Sequence, residues 1–290
     1  MAVNSLHDLE LIGHGVSGIV FAINHTTVIK VPRGGPESAR DQEIESRIYQ
    51  RLGQHPRIVR YIRSEPRGLI LERLTGPLRK RLRELYAEGK LPSQGLMRKW
   101  SRQAIEGLQY LHQRDILQGD IGCHNLLLDK NDDLKYCDFA GSSIDGQEAW
   151  VCYETRSQRP YAYASSQDET NIPSEIFALG TTLYEISTTR PPYSDHDEAA
   201  ITEFFQGDIF PDVRSLELGN IILKCWRGIY ATVDEVSRDL DRLGWDPLKD
   251  SILQRSRNLF PRIWSLGFAC LHFEKEDERY LISKKSSALH

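Results

Sequence analysis

The stretch QGDIGCHNLLLD, residues 118–129, decides how this sequence reads. Asp120 precedes Asn125 by five positions, and the apolar run Leu126, Leu127, Leu128 follows at once. A carboxylate and a side-chain amide at this spacing, just before a strand, offer hard oxygen atoms to a divalent cation and the phosphates it carries. The continuation NLLLDKNDDLKYCDF (125–139) has the pattern of a hairpin: two apolar strands joined by a polar turn rich in Asn and Asp. That hairpin delivers a second carboxylate, Asp138, thirteen residues after Asn125. Together the three side chains suit Mg²⁺, whereas His124 and the cysteines lack the spacing of zinc ligands. Taken singly, either aspartate is also an ordinary turn residue or helix cap.

Upstream, the first 74 residues read mainly as short β-rich runs: LELIG (9–13), GIVFAIN (18–24), TVIKVP (27–32), IVRYI (58–62) and GLILE (68–72). One helical pattern interrupts them, ESARDQEIESRIYQRL (37–52), with Ile44, Ile48 and Leu52 four apart on one face. GHGVSGIV (13–20) supplies Gly13, Gly15 and Gly18, with Val20 two positions on. Glycines let backbone N–H groups approach phosphate oxygens closely. The array sits between two strands, whereas the dinucleotide fingerprint opens a helix; by itself it is equally a hairpin turn. Lys30 falls inside an apolar strand, where burial is costly unless the charge is paired. Glu45, on the helix that follows, is the expected partner.

Downstream, MRKWSRQAIEGLQYLHQ (97–113) carries Trp100, Ala104, Leu108 and Leu111 at helical spacing, and SEIFALGTTLYEIST (174–188) is apolar almost all round, as a helix buried within a lobe should be. The fold class is therefore α+β: a small sheet-based lobe, a short link near ERLTG (72–76) and a larger helical lobe. RLTGPLRKRLREL (73–85) reads as a solvated basic helix face or, if it lies near the cleft, as a feature favouring acidic substrates.

Gly-rich loop, strand lysine, helix glutamate, DxxxxN loop and Asp-Phe pair, in this order and rough spacing, resemble the bilobal eukaryotic protein-kinase fold. SEIFALGTTLYEI is similar to that family's central helix, usually SDxxxLG; RPPY (190–193) resembles the segment that follows it, and IILKCWRGIYATVDEVSRDLDRL (221–243) the closing helices around a buried Trp. GDIGCHNLLLD and DFAGSSIDG look most like a divergent kinase group abundant in filamentous fungi. The resemblance implies a kinase domain over 6–245, with an N-lobe over about 6–72, a C-lobe over about 75–245, and an extension of unknown role at 246–290. It further implies that Gly13, Gly15, Gly18 and Val20 cover ATP, that Lys30 contacts its α- and β-phosphates, and that Glu45 orients Lys30. Leu71 would guard the adenine pocket, with the backbone of Glu72 to Leu74 meeting the base. Asp120 would accept or orient the substrate hydroxyl proton, and Asn125 and Asp138 would hold Mg²⁺ across the phosphates.

The sequence departs from the family at several points. The usual His-Arg-Asp is Gln118-Gly119-Asp120, so a histidine that packs a regulatory core becomes a glutamine expected to pack less well. The arginine that grips a phosphorylated activation loop becomes glycine. Gly122 stands where serine/threonine kinases carry a lysine near the γ-phosphate, and His124 where tyrosine kinases often carry arginine. Ala140 replaces the glycine of Asp-Phe-Gly, which is expected to restrict the backbone. Glu175 replaces the central-helix aspartate, one methylene longer in a tight site. A clear Ala-Pro-Glu motif and its arginine partner are both missing, and losing both is less damaging than losing one.

These losses cluster at regulatory and scaffold positions, so the favoured reading is a weak or narrowly tuned active kinase transferring phosphate from ATP, with Mg²⁺, to Ser or Thr of a protein substrate. A nucleotide-binding pseudokinase acting as scaffold is the alternative, and a kinase-like small-molecule phosphotransferase the third. A net charge of −4 gives no reason to expect nucleic acid or anionic membrane as main partner. Five cysteines without a CxxC pair point to reduced thiols, and the N-terminus lacks a signal-peptide layout, so an intracellular, cytoplasmic location (or a nuclear one) is expected. LFPRIWSLGFACLHF (259–273) is broken by Pro261 and Arg262 and is too short to span a membrane; its apolar part reads as a surface for packing or for a partner, ahead of a disordered tail.

Overall fold

The computed structural model describes residues 6, 8–150, 153–160 and 170–245; the extension 246–290, including its apolar stretch and tail, lies outside them. The chain divides into two compact units, Met1–Gly244 and Trp245–His290, and the architecture below is that of the first.

Strands β1 (Glu10–His14), β2 (Ile19–Ala22), β3 (Thr27–Val31), β4 (Tyr61–Glu65) and β5 (Gly68–Glu72) form an antiparallel sheet in the order β1-β2-β3-β5-β4. Helix α1 (Pro36–Leu52) buries Ile44, Ile48 and Leu52, the stripe that its four-residue spacing demands. The run IVRYI does not form one strand. Val59 donates its N–H to Tyr136 O, Ile58 bridges the same tyrosine, and only from Tyr61 does the chain join the sheet. Two fully buried aliphatic residues thus belong to the larger lobe's hairpin, and the strand that follows is more polar because one face meets solvent.

The larger lobe begins with β6 (Gly76–Pro77) and α2 (Leu78–Ala87), which buries Leu78, Leu82 and Leu85. Helix α3 (Gln94–His112) starts where the Ser93 side chain accepts the Leu96 N–H and sinks Trp100, Ala104, Leu108 and Leu111. Strands β7 (Ile116–Leu117), β8 (Leu126–Leu128), β9 (Leu134–Tyr136) and β10 (Ser143–Ile144) follow; β8 and β9 are the expected hairpin, and β7 pairs with β10. Helix α4 (Ile172–Thr188) opens on a capping box between Asn171 and Ser174 and is buried on nearly every side. Helix α5 (Glu198–Gln206) sets Phe205 against Phe177 of α4, α6 (Gly219–Trp226) packs along α4, and α7 (Val233–Arg242) packs on α3 and α6. Gly180 lets α4 and α6 touch: a Cβ there would sit 2.7 Å from Cys225 Cβ. Trp226 is fully buried and donates its Nε1–H to Thr181 Oγ1 (3.1 Å), which fastens the closing helices to α4. Among the described residues no helix is long and apolar enough to cross a membrane.

Candidate active site

Strand β3 lies inside the sheet, with Lys30 opposite Val20 of β2 on one side and Leu69 of β5 on the other. Its ammonium therefore leaves the sheet where only side chains can satisfy it. Lys30 Nζ contacts Glu45 Oε2 at 2.7 Å and Asp138 Oδ1 at 2.6 Å. Glu45 Oε1 accepts the Phe139 N–H (3.2 Å), and Asp138 Oδ2 accepts the Ser17 hydroxyl (2.7 Å). Sheet, α1, the segment after β9 and the Gly-rich loop thus meet at one buried cation. Burial opposes the charge on Lys30, but Glu45 and Asp138 outweigh it and hold its pKa above the ordinary value. With one cation between two carboxylates, burial raises Glu45, whereas for Asp138 the same penalty is overcome by Lys30 and hydrogen bonds, and its pKa falls. Asp138 stays ionised.

The loop between β7 and β8 presents Asp120. Its Oδ2 accepts from Asn125 Nδ2 (3.0 Å) and His124 Nε2 (2.9 Å), and Asn125 Nδ2 also bonds Asp120 O (2.9 Å). Asn125 therefore spends its N–H groups on Asp120 and keeps its carbonyl oxygen for a cation. Asp138 has two acceptor oxygens, each with a further lone pair. This all-oxygen set fits Mg²⁺ in chemistry; no cluster of three or more His, Cys, Asp or Glu suited to a metal occurs among the described residues.

The three glycines differ. A Cβ at Gly18 would lie 2.7 Å from Val31 O, one at Gly15 would meet nothing within 4 Å, and one at Gly13 would make only ordinary contact. The Gly15 N–H donates to Gly18 O (2.9 Å), closing the turn. Leu71 is buried; Glu72 turns its side chain to Arg60 N (2.7 Å) and Lys135 Nζ (2.6 Å). The Arg73 N–H goes to Thr26 O, whereas the Leu74 N–H, beyond the strand, meets no backbone carbonyl among the described residues.

The protein kinase domain family matches residues 6–232. The chain belongs to the protein kinase family. Among its relatives, mitogen-activated protein kinase kinase kinase 1 of Arabidopsis thaliana is 28% identical over 243 residues, covering 74% of this chain and 38% of the relative. Mitogen-activated protein kinase kinase kinase 1a of Physcomitrium patens is 26% identical, covering 72% of this chain and 28% of the relative. The chain thus matches about a third of the length of these relatives.

In this kinase domain the departures from the family pattern are built in, and one expectation needs correction. Gln118 packs well: it is 1% exposed, donates Nε2–H to Asp138 O (3.2 Å) and accepts the Asp120 N–H on Oε1 (2.9 Å). Glutamine succeeds because one amide both donates and accepts, tying the segment of Asp138 to the loop of Asp120. Ala140 is not at positive φ; the left-handed angles in this segment fall on Asp138 (φ 58°) and Gly141 (φ 79°).

Glu175 uses its extra methylene. Fully buried, it accepts the Gly119 N–H on Oε1 (2.8 Å) and meets His112 Nε2 on Oε2 (2.6 Å). Gly119 sits at φ 80°, a conformation that favours glycine. Gly122 is fixed by His124: a Cβ there would lie 2.6 Å from the imidazole Cε1 and Nδ1.

The basic helix also needs correction at one residue. Arg79 is not solvated: its Nε and Nη2 grip Glu185 Oε1 and Oε2 (2.9 and 3.0 Å), and Nη1 reaches Glu154 (2.6 Å). Burial works against this guanidinium, but the Glu185 and Glu154 hydrogen bonds prevail and raise its pKa. The signal lay in SEIFALGTTLYEIST, where two carboxylates inside a helix buried all round each demand a partner.

Proposed function

We propose that this domain is an active, ATP- and Mg²⁺-dependent kinase that phosphorylates Ser or Thr of a protein substrate. The observation that carries the proposal is Lys30 held between Glu45 and an ionised Asp138, beside a loop that fixes Asp120 from two directions. Phosphoryl transfer depends mainly on positioning and on fixed charges around the transferred group. Lys30 supplies a buried cation for phosphate oxygens, and Glu45 sets its direction. Asp120 has Oδ2 bound by Asn125 and His124 and so turns Oδ1 to the substrate hydroxyl, whose proton it orients or accepts. Asp138 and the carbonyl oxygen of Asn125 would hold Mg²⁺, which would neutralise charge on the phosphates. Leu71 and the backbone from Glu72 to Leu74 would receive the adenine ring under Gly13, Gly15, Gly18 and Val20.

The pseudokinase alternative drew its support from Gln118, Gly122, Ala140 and Glu175. Gln118, Gly122 and Glu175 each have a packing or hydrogen-bonding reason to be the residue they are, which supports the active reading. The two relatives above, named as mitogen-activated protein kinase kinase kinases, support a protein substrate over a small molecule. Turnover of γ-labelled ATP with a generic Ser/Thr substrate tests the proposal. The native chain should transfer label, and Asp120→Asn should lose roughly 10²-fold or more. Equal incorporation by both proteins, or none by either, refutes it.

A further inference from the structure

Helix α1 carries Glu45 and is therefore the element whose position decides whether Lys30 is correctly held. It is also arginine-rich along one line. Arg40, Arg47 and Arg51 are seven and four residues apart, which at about 100° per residue places them within one narrow stripe, with Glu45 about 140° away around the helix. That stripe faces the segment that follows Asp138. Arg51 grips Asp145 with two parallel bonds, Nη1 to Oδ1 at 2.5 Å and Nη2 to Oδ2 at 2.9 Å. Arg47 Nη2 stands 3.8 Å from the same carboxylate, and the Arg40 guanidinium lies 3.9 Å above the Trp150 ring.

We propose that Asp145 is a permanent anionic anchor for helix α1, a positioning residue that keeps Glu45 on Lys30 without any covalent modification. Asp145 is itself fixed. It follows β10, whose pairing with β7 ties it to the strand leading into the Asp120 loop. Its own backbone is left-handed at φ 58°, and its N–H points to Asp115 O at 3.4 Å. Trp150 donates its N–H to Gly141 O (2.7 Å), so the cation–π contact is held close to Asp138. The hydrogen bonds from Arg51 hold the Asp145 carboxyl below the usual carboxylate range.

An isolated exposed ion pair contributes little. This one is bidentate, shares its anion with a second arginine and is flanked by an aromatic contact. It also has only to bias a helix between two positions, which needs far less than stabilising a fold. The family's usual device joins an activation-loop phosphate to the arginine before the catalytic aspartate. Here that arginine is Gly119, and the fixed charge has moved to position 145, where the arginines of α1 reach it.

The inference bears on catalysis through the kinase reading above, so its test has one arm that does not depend on turnover. In the full chain, Asp145→Ala, Arg51→Ala and the double variant are compared with wild type by hydrogen exchange across residues 40–52 and by kcat and KM for ATP. Each single variant should speed exchange in α1 while leaving α3 and α4 unchanged, and should lower kcat by about tenfold. The double variant should be no worse than the worse single, because both remove one interaction. Arg51→Lys, which keeps charge but not the fork, should fall between. Unchanged exchange in α1, or effects of the two singles that multiply, would overturn the anchor. Exchange that responds as expected in a chain without turnover keeps the anchor and refutes the kinase reading. A variant that speeds exchange in α3 and α4 as well would show a general structural role and overturn the proposal.

Discussion

Two buried polar networks lie a few residues apart in this domain, and they differ in kind. Lys30, Glu45, Asp138, Asp120 and Asn125 are the groups proposed to meet nucleotide and metal, and each is the residue type the family pattern requires. Gln118, Gly119, Glu175 and His112 contact other protein groups, and here the family's residue types are replaced. Gln118 joins the Asp138 segment to the Asp120 loop, and Glu175 accepts a loop N–H from inside α4. A group that touches phosphate or Mg²⁺ is constrained by the chemistry of something the sequence cannot change. A group that touches another side chain is constrained only by the pair, so both members can change together.

The comparison breaks most visibly where the first network is cut. Asp138→Asn removes the carboxylate proposed for Mg²⁺ and leaves Lys30 with Glu45 alone. We expect Mg·ATP to raise the melting temperature of the native chain by mass action, about 2.7 kcal/mol of stabilisation at a hundredfold excess over Kd, and the variant to lose nearly all of the Mg²⁺-dependent part. A differential-scanning titration of ATP with and without Mg²⁺ measures this. A variant that keeps the Mg²⁺-dependent shift would place the metal elsewhere.

The second network is sharpened by restoring the family residue. Glu175→Asp withdraws the carboxylate by about 1.5 Å, one carbon–carbon bond. It then cannot reach both His112 Nε2 and the Gly119 N–H, and a buried donor is left unsatisfied. The cost should be about 2 kcal/mol in urea unfolding. A neutral result would show that α4 or the loop shifts to follow the shorter side chain.

Gly122→Lys makes the same test at the rim of the site. The family's lysine would seem to repair a missing contact, but its Cβ would collide with the His124 ring and pull that ring from Asp120 Oδ2. Turnover should therefore fall by about three- to tenfold through lost positioning. Adding His124→Ala should cost little more, because its bond to Asp120 is already lost in the single variant. A rise in the single variant would mean that the lysine contributes more than the His124 bond.

Much of this was legible before the fold was known. Periodicity located the helices and the hairpin, and a lysine in an apolar strand called for an acidic partner, found in Glu45. The substitutes were harder to read because each depends on a contact distant in sequence. Gln118 looks like a weak replacement until its amide is seen to serve Asp138 O and Asp120 N at once. Ala140 is accommodated because the positive φ falls on Gly141 and not on it. Arg79 belongs by composition to a solvated helix face, and only the partner requirement of Glu185 betrays it. The role of position 145 had no local signal at all, since an exposed aspartate at the end of a short strand is commonplace.

The smallest effect follows from the same contrast, applied to phosphorylation. Between Asp138 and Pro160 the described residues carry five hydroxyls: Ser142, Ser143, Tyr153, Thr155 and Ser157. Ser142, Ser143 and Ser157 are buried. Ser142 donates to Gln118 O at 2.7 Å and Ser143 to Gln147 O, so a modifying enzyme would have to unfold the loop to reach them. Tyr153 pairs with Ser174 at 3.2 Å, and burial pushes its phenol pKa up. Of these five described hydroxyls, half-buried Thr155 is left as the acceptor. A phosphate works by meeting arginine; Gly119 supplies no cation, and Arg156 already gives its donors to Pro192 O and His196 O. Arg51 is committed to Asp145. Phosphatase treatment, or Thr155→Ala, should therefore leave turnover within about threefold, under about 0.7 kcal/mol in the barrier. A tenfold loss would show that a phosphate competes for an arginine now bound elsewhere, and that a site facing only the protein had kept its chemistry after all.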